Sequence, residues 1–425
     1  MPLYPGLAAA SFLHQVVFPE SIGPVTTVNC RCEVNFAVPS QVWYLRFALL
    51  PTSAPQILPE FAALAALNSC GVSFREKRRI VTQHTIRALP KAELHRHLDG
   101  SIRLKTVADI AVRHNLDLGI STEEALADRA RITAPMKDLQ TVLDSFATIQ
   151  QVLCSYEAIE RISFENVEDA YRDGIQLIEL RFAPPFIAAG KKLGNDEIIE
   201  AVLDGVTRGM NCYPIQVGLI GILVRTMDLA INRRAAADLS RYAGSRYRNA
   251  DRICGFDLAD AEDRTNPEDF LPMVQQARQA GLGITIHSGE NTSAAAVRRT
   301  LDLFEPARIG HGIKSWGDEN LLQRIREQQV MLEVCPTSNW LTSSVGSLED
   351  HPLPHLYRRG VPVSINSDDP NLFGIDLVHE YELCARLYGF TKEDFMNINR
   401  QTVEHSFPPP DIRTEILGRH FPASE

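Results

Sequence analysis

From about residue 88 the chain alternates short, apolar, β-branched runs with longer stretches of helical period. Eight runs read as strands: 92–98 (AELHRHL), 175–183 (IQLIELRFA), 215–225 (IQVGLIGILVR), 252–259 (RICGFDLA), 282–288 (LGITIHS), 307–313 (ARIGHGI), 329–335 (QVMLEVC) and 361–367 (VPVSINS). Amphipathic segments such as 194–210, 268–280, 318–328 and 376–388 lie between most of them. Eight successive β–α units predict an α/β fold, a (β/α)8 TIM barrel spanning 88–425. The first crossover, about 104–170, is long enough for an insertion of several helices.

Residues 1–87 lie outside this pattern and read as an N-terminal extension with no recognised domain. The first 74 hold five charged residues, whereas the chain as a whole is 23% charged. They also hold eight prolines and no clear helical or strand period, and a charge cluster, Glu76-Lys77-Arg78-Arg79, follows. The segment is too apolar for a solvated tail. It lacks the basic start of a secretory signal, its first basic residue being Arg31. Two accounts stand: a genuine extension, or a start assigned too early. No methionine falls between Met1 and Met136, so a valine start codon upstream of Leu89 fits the second.

Composition narrows the function classes. The net charge is −10 and the pI near 5.7, which argues against a nucleic-acid-binding face. No run of about 18 apolar residues occurs, so a membrane-spanning helix is not expected. Eight cysteines are scattered without disulfide density or zinc-finger spacing. They read as buried thiols of a cytoplasmic protein.

Polar side chains gather where the runs end. The first carries His95 and His97, the second ends at Glu179-x-Arg181, and the fourth at Asp257. The fifth ends at His287 and Glu290, the sixth at His311, the seventh at Ser338-Asn339 and the eighth at Asp368-Asp369. Catalytic groups of such barrels sit at the carboxyl ends of the strands. His95-x-His97 puts two imidazoles on one side of a strand, within reach of one metal. After His287, Gly289 lets the chain turn and bring Glu290 back over the strand end. Asp368 and Asp369 point in opposite directions, so one can face a metal and the other substrate or water. Gly310 and Gly312 let the backbone at His311 approach a ligand. Singly, each feature has an ordinary reading: a core histidine, a loop histidine, a Ser-Asp-Asp-Pro-Asn turn. Together, three histidines and one aspartate at one barrel mouth fit a site for one zinc ion with room for water. His311 and Asp369 remain to orient and deprotonate that water, and Glu290 to carry a proton. A lysine-bridged two-metal centre is excluded, because no lysine lies between Lys192 and Lys314. The H-x-E and P-C-x-x-C signature of small zinc deaminases is also absent.

At these residues the chain resembles the adenosine/AMP deaminase family, and within it the adenosine deaminase branch. The stretches are LPKAELHRHLDGSIR (89–103), ISFENVEDAYRDGIQLIELRF (162–182), GFDLA (255–259), ITIHSGE (284–290), RIGHGIK (308–314), CPTSN (335–339) and SINSDDP (364–370). The resemblance implies zinc held by His95, His97, His287 and Asp368. It implies Glu290 as proton donor to purine nitrogen 1, His311 as the residue that orients the water, and Asp369 as its base. Asp99 looks like the family's ribose-hydroxyl contact, and His97 and position 260 also adjoin the substrate. The implied reaction is hydrolytic deamination of adenosine and 2′-deoxyadenosine to the inosine forms plus ammonia, in purine salvage.

Two positions depart from the family pattern. The residue after Asp-Leu-Ala is Asp260, where glycine is common, and Ser288 stands where alanine is common. Asp260 puts a carboxylate near the expected base edge. Adenine, an N6-substituted AMP or another 6-aminopurine derivative is therefore the alternative substrate. A relative of another class, a binding or growth-factor-like protein without activity, should have lost one of the seven site residues, and all seven are filled. The expected partner is a small purine nucleoside, with no nucleic acid or membrane; the sequence leaves the oligomeric state open.

Overall fold

The structure is a computed structural model that describes residues 30–38, 41–49, 81–119, 123–136, 146, 148–244 and 253–422. The chain divides into two units, Met1–Gly71 and Val72–Glu425. In the first, strands β1 (Cys30–Val38) and β2 (Gln41–Leu49) pair antiparallel, with Val38 opposite Gln41 and Cys30 opposite Leu49. This hairpin is a difference from the sequence reading, which found no strand period there. Its segments are rich in valine and aromatic residues, which favour strands; Cys30–Phe36 alternates apolar and polar positions, a short strand signal that the sequence reading passed over, whereas Gln41–Leu49 does not alternate regularly. The remainder of residues 1–80, where the sequence left an extension and an early start as alternatives, lies outside the described residues.

In the second unit all eight expected strands form: β3 (Lys91–His97), β4 (Ile175–Phe182), β5 (Gln216–Val224), β6 (Ile253–Ala259), β7 (Gly283–Ser288), β8 (Arg308–His311), β9 (Met331–Val334) and β10 (Val363–Ile365). They pair in parallel in chain order. Asp368 closes the ring: its backbone N donates to His95 O (3.1 Å) and its O accepts from His97 N (2.8 Å). Helices follow the strands on the outside, as a parallel sheet requires. The long first crossover contains Leu104–His114, Glu123–Ala130 and Tyr156–Arg172 among the described residues. β10 is shorter than the expected 361–367, and the chain leaves the extended region at Asp368, where φ is +62°.

The strands are apolar enough to be buried on both faces, yet the barrel interior carries a charged network. Arg181 donates to Asp257 (2.8 Å) and Glu333 (2.7 Å). Arg308 donates to Glu333 (2.7 Å) and Glu179 (2.5 Å). All five side chains are fully buried. Removing one member would leave an uncompensated buried charge, worth about 3–5 kcal/mol. This network reaches the strand ends through His95, whose Nδ1 lies 2.8 Å from Glu333 Oε2.

Candidate active site

Four imidazoles converge where strands β3, β7 and β8 end. The ring of His95 lies 5.4 Å from His97, 4.6 Å from His287 and 4.8 Å from His311, centroid to centroid. Asp368 joins them: its Oδ1 is 3.2 Å from His95 Nε2 and 3.3 Å from His97 Nε2. Three trios among the described residues bring one ligand atom from each member within 4.8 Å of one another: His95, His97 and Asp368; His95, His287 and His311; and His311, Cys335 and Asp368. His95 belongs to the first two. Its Nε2 is buried and has no hydrogen-bond partner. Unsatisfied buried nitrogens are rare. This one is aimed at a carboxylate among other imidazoles, which is the environment a divalent metal would complete.

The surroundings orient the rings as metal ligands need. His95 Nδ1 faces Glu333, and His287 Nδ1 lies 2.9 Å from Asp257 Oδ2. Each carboxylate fixes the far nitrogen, leaving Nε2 for the cavity. Arg225 donates to the His287 carbonyl (2.7 Å), and Ser338 donates to Asp368 Oδ2 (2.7 Å). Burial would raise the Asp368 pKa, but His95 and His311 hold it well below the usual carboxylate range. Burial depresses the pKa of His97 well below its ordinary value. Neutral imidazole and ionised carboxylate are the ligating forms.

The proposed acid and base flank this cluster. Gly289 adopts φ +70°, and the chain turns there so that Glu290 comes within reach of His311, Oε2 to Nε2 3.7 Å. Glu262 holds the turn: it accepts from the backbone N of Gly289 (2.7 Å) and Glu290 (3.0 Å) and from Thr292 (2.6 Å). Asp369 is buried and its Oδ1 has no partner. Burial, then the Asp368 and Asp99 charges, raise its proton affinity well above the usual range. Its carboxyl lies against the Cα of Gly100, where an added Cβ would fall 1.7 Å from Oδ1. Gly100→Ala is therefore expected to displace Asp369 and lower turnover while metal content stays at the wild-type level, as read by elemental analysis beside kinetics.

Three site positions lie in the left-handed region that non-glycine residues rarely adopt: Asp260 (φ +80°), His311 (+60°) and Asp368 (+62°). Such strain is concentrated at functional positions, where the surrounding structure enforces it.

The other residues singled out in the sequence are placed differently. Asp99 is buried and accepts from Gln150 Nε2 (2.5 Å), and burial raises its pKa to about 6. The Asp260 carboxylate is engaged by Thr226, accepting from its hydroxyl and from its backbone N (3.3 Å). The Ser288 hydroxyl accepts from Thr300 (2.9 Å), so it points toward the following helix.

Sequence reasoning missed Glu333, Glu262 and Gln150. Glu333 had a signal: a lone carboxylate inside the apolar run 329–335. Glu262 and Gln150 lie on segments without a usable period, and only the fold brings them to the site.

A sequence profile of the family described as "Adenosine deaminase" matches residues 90–420. The chain is 38% identical over 333 residues to the adenosine deaminase of Klebsiella pneumoniae (strain 342), covering 78% of this chain and 98% of that one. Among solved structures it is similar to the adenine deaminase of Arthrobacter aurescens, with TM-score 0.71 and 26% identity over 78% of this chain and 98% of that one. It is also similar to the N6-methyl-AMP deaminase of Arabidopsis thaliana, with TM-score 0.67 and 26% identity over 79% and 97%. The chain is an enzyme and belongs to the adenosine deaminase family of metal-dependent hydrolases.

Proposed function

We propose that the chain holds one zinc ion through His95, His97, His287 and Asp368 and hydrolyses adenosine and 2′-deoxyadenosine to inosine and 2′-deoxyinosine, releasing ammonia. The observation that carries this reading is the unpartnered His95 Nε2 among Asp368 and three further imidazoles. Zinc, when bound, supplies the Lewis acidity that brings the pKa of water toward ~7.

The chain's own residues supply the rest. Asp369, buried beside Asp368 with its Oδ1 free of a partner, accepts the proton of the attacking water. Glu290 hands a proton to purine nitrogen 1, which makes carbon 6 electrophilic. His311 is placed between Glu290 and Asp368 to bond the attacking oxygen. Asp369 then returns its proton to the amino group, which leaves as ammonia when the tetrahedral carbon collapses, and the proton of the added hydroxyl restores Glu290.

Asp99 supports a nucleoside over a nucleotide. Its carboxylate can accept a ribose hydroxyl proton, and it opposes a phosphate. The nearby cation Lys191 is occupied by the carbonyls of Gln150 (2.9 Å) and Ile187 (2.8 Å). A second reading, adenine or an N6-substituted AMP, draws support from the two structural relatives of those activities. A deamination screen separates them, with adenosine, deoxyadenosine, adenine, AMP and N6-methyl-AMP as substrates and ammonia as the readout. Adenosine is expected to give the highest kcat/KM; preference for another member overturns the nucleoside assignment.

Asp260 tunes this step without performing it. Its backbone N–H remains available to the base edge, and Thr226 holds the carboxylate aside. Glycine adopts φ +80° without the Cβ strain that aspartate carries. Asp260→Gly is expected to lower KM for adenosine and leave kcat unchanged. Constants unchanged on every substrate of the screen would put position 260 outside the pocket.

A further inference from the structure

Asn339 and His351 take no part in the chemistry above, yet both are fully buried in line with His311. The chain of contacts starts at a group whose role is fixed. The backbone N of Leu353 donates to His351 Nδ1 at 3.0 Å, so Nδ1 carries no proton. Burial, and after it the proximity of His311, hold the His351 pKa down at about 3, so the ring is neutral. Its single proton is therefore on Nε2. That nitrogen lies 3.2 Å from Asn339 Oδ1 and donates to it.

This donation determines which way the Asn339 amide faces. With its oxygen toward His351, its NH2 points at His311 Nδ1, 3.0 Å away. An amide NH2 only donates, so His311 Nδ1 is the acceptor and holds no proton. A neutral His311 then carries its proton on Nε2. Nε2 faces the space bounded by Glu290 Oε2 (3.7 Å) and Asp368 Oδ2 (3.8 Å), too far from either for a direct bond. A donor is thus left aimed into the space where the attacking oxygen sits.

We infer that His351 and Asn339 are positioning residues that lock His311 in its Nε2–H tautomer, making it a hydrogen-bond donor to the oxygen that adds to the ring and not the base that activates it. The inference rests on the proposed deaminase site but not on which purine is the substrate. It leaves Asp369 as the group that takes the water's proton. It also gives a role to His351, fully buried 40 residues beyond His311 and joined to it through Asn339.

The test reads the tautomer directly. The full chain, loaded with zinc and labelled with 15N in histidine, is examined by long-range proton–nitrogen correlation NMR, with His311 assigned by the signal lost in His311→Gln. Wild-type His311 is expected to have a protonated Nε2 and a bare Nδ1. In Asn339→Asp both side-chain oxygens accept, so His311 Nδ1 becomes protonated. Turnover should fall by about 100-fold, the cost of losing one donor to a developing oxyanion, with KM and zinc content unchanged. His351→Gln keeps an N–H near the Nε2 position and should retain the wild-type tautomer and most of the turnover, whereas His351→Leu should lose both. A wild-type His311 protonated on Nδ1 overturns the inference. So does an Asn339→Asp protein with wild-type tautomer and turnover. If that variant does not fold, equal behaviour of His351→Gln and His351→Leu overturns it instead. Failure of the adenosine reading would appear separately, as another preferred substrate with the tautomer unchanged.

Discussion

His287→Ala is expected to yield a folded chain that retains almost no zinc and no measurable deaminase activity. His287 closes β7 and is oriented by Asp257, 2.9 Å from its Nδ1. Its Nε2 is thereby committed to the centre of the cluster. Losing it leaves three of four proposed ligands, and a site so reduced holds metal and water poorly. The fold should survive, because Asp257 keeps its buried partner Arg181 at 2.8 Å and is not left as an unpaired charge. Elemental analysis of the purified variant reads the metal, and ammonia release reads the activity. A circular dichroism spectrum matching that of zinc-stripped wild type separates loss of metal from loss of fold. Full zinc occupancy with near-normal turnover would remove His287 from the ligand set.

The barrel was legible because its signal is local and repeated. Each strand is a short apolar run, and each helix between has a stripe of helical period. The site was partly legible for the same reason. A histidine or aspartate that ends an apolar run, such as His287 or Asp368, stands out against its neighbours. What holds those residues in place was not legible. Glu262 reaches Gly289 and Glu290 from 27 and 28 positions away in sequence, and Gln150 reaches Asp99 from 51. No period connects such pairs; only the closing of the barrel brings them together. Asp260 illustrates the boundary. That glycine suits the position follows from backbone sterics, and φ is +80° there. The direction of the carboxylate is set by Thr226 on the loop after a different strand, β5. The hairpin of β1 and β2 carried a local signal, the apolar–polar alternation of Cys30–Phe36, but one short strand among eight prolines has no repeated neighbours to reinforce it.

Glu290→Gln should retain zinc and bind purine nucleoside, while turnover falls by at least ~100-fold, the low end for general acid catalysis. The two oxygens of Glu290 are not equivalent. Oε1 accepts from Thr342 (2.9 Å) and, at 3.4 Å, from Ser344. Oε2 faces His311 and the interior of the site. The anchored oxygen is the acceptor, so the proton to be transferred belongs on Oε2. Glutamine can reproduce the acceptor at Oε1 and present an NH2 where Oε2 stood. It can therefore hold the same rotamer and still donate a hydrogen bond to purine nitrogen 1. It cannot release that proton, so carbon 6 is never activated for attack. The backbone anchor through Glu262 is untouched by the substitution, and Glu290 is outside the proposed ligand set, so neither the turn nor the metal should change. The measurements are zinc content, the dissociation constant of a purine nucleoside that lacks the 6-amino leaving group, and kcat. Binding that weakens in step with kcat would make Glu290 a contact only, and a fall of less than a few-fold would take it out of the mechanism.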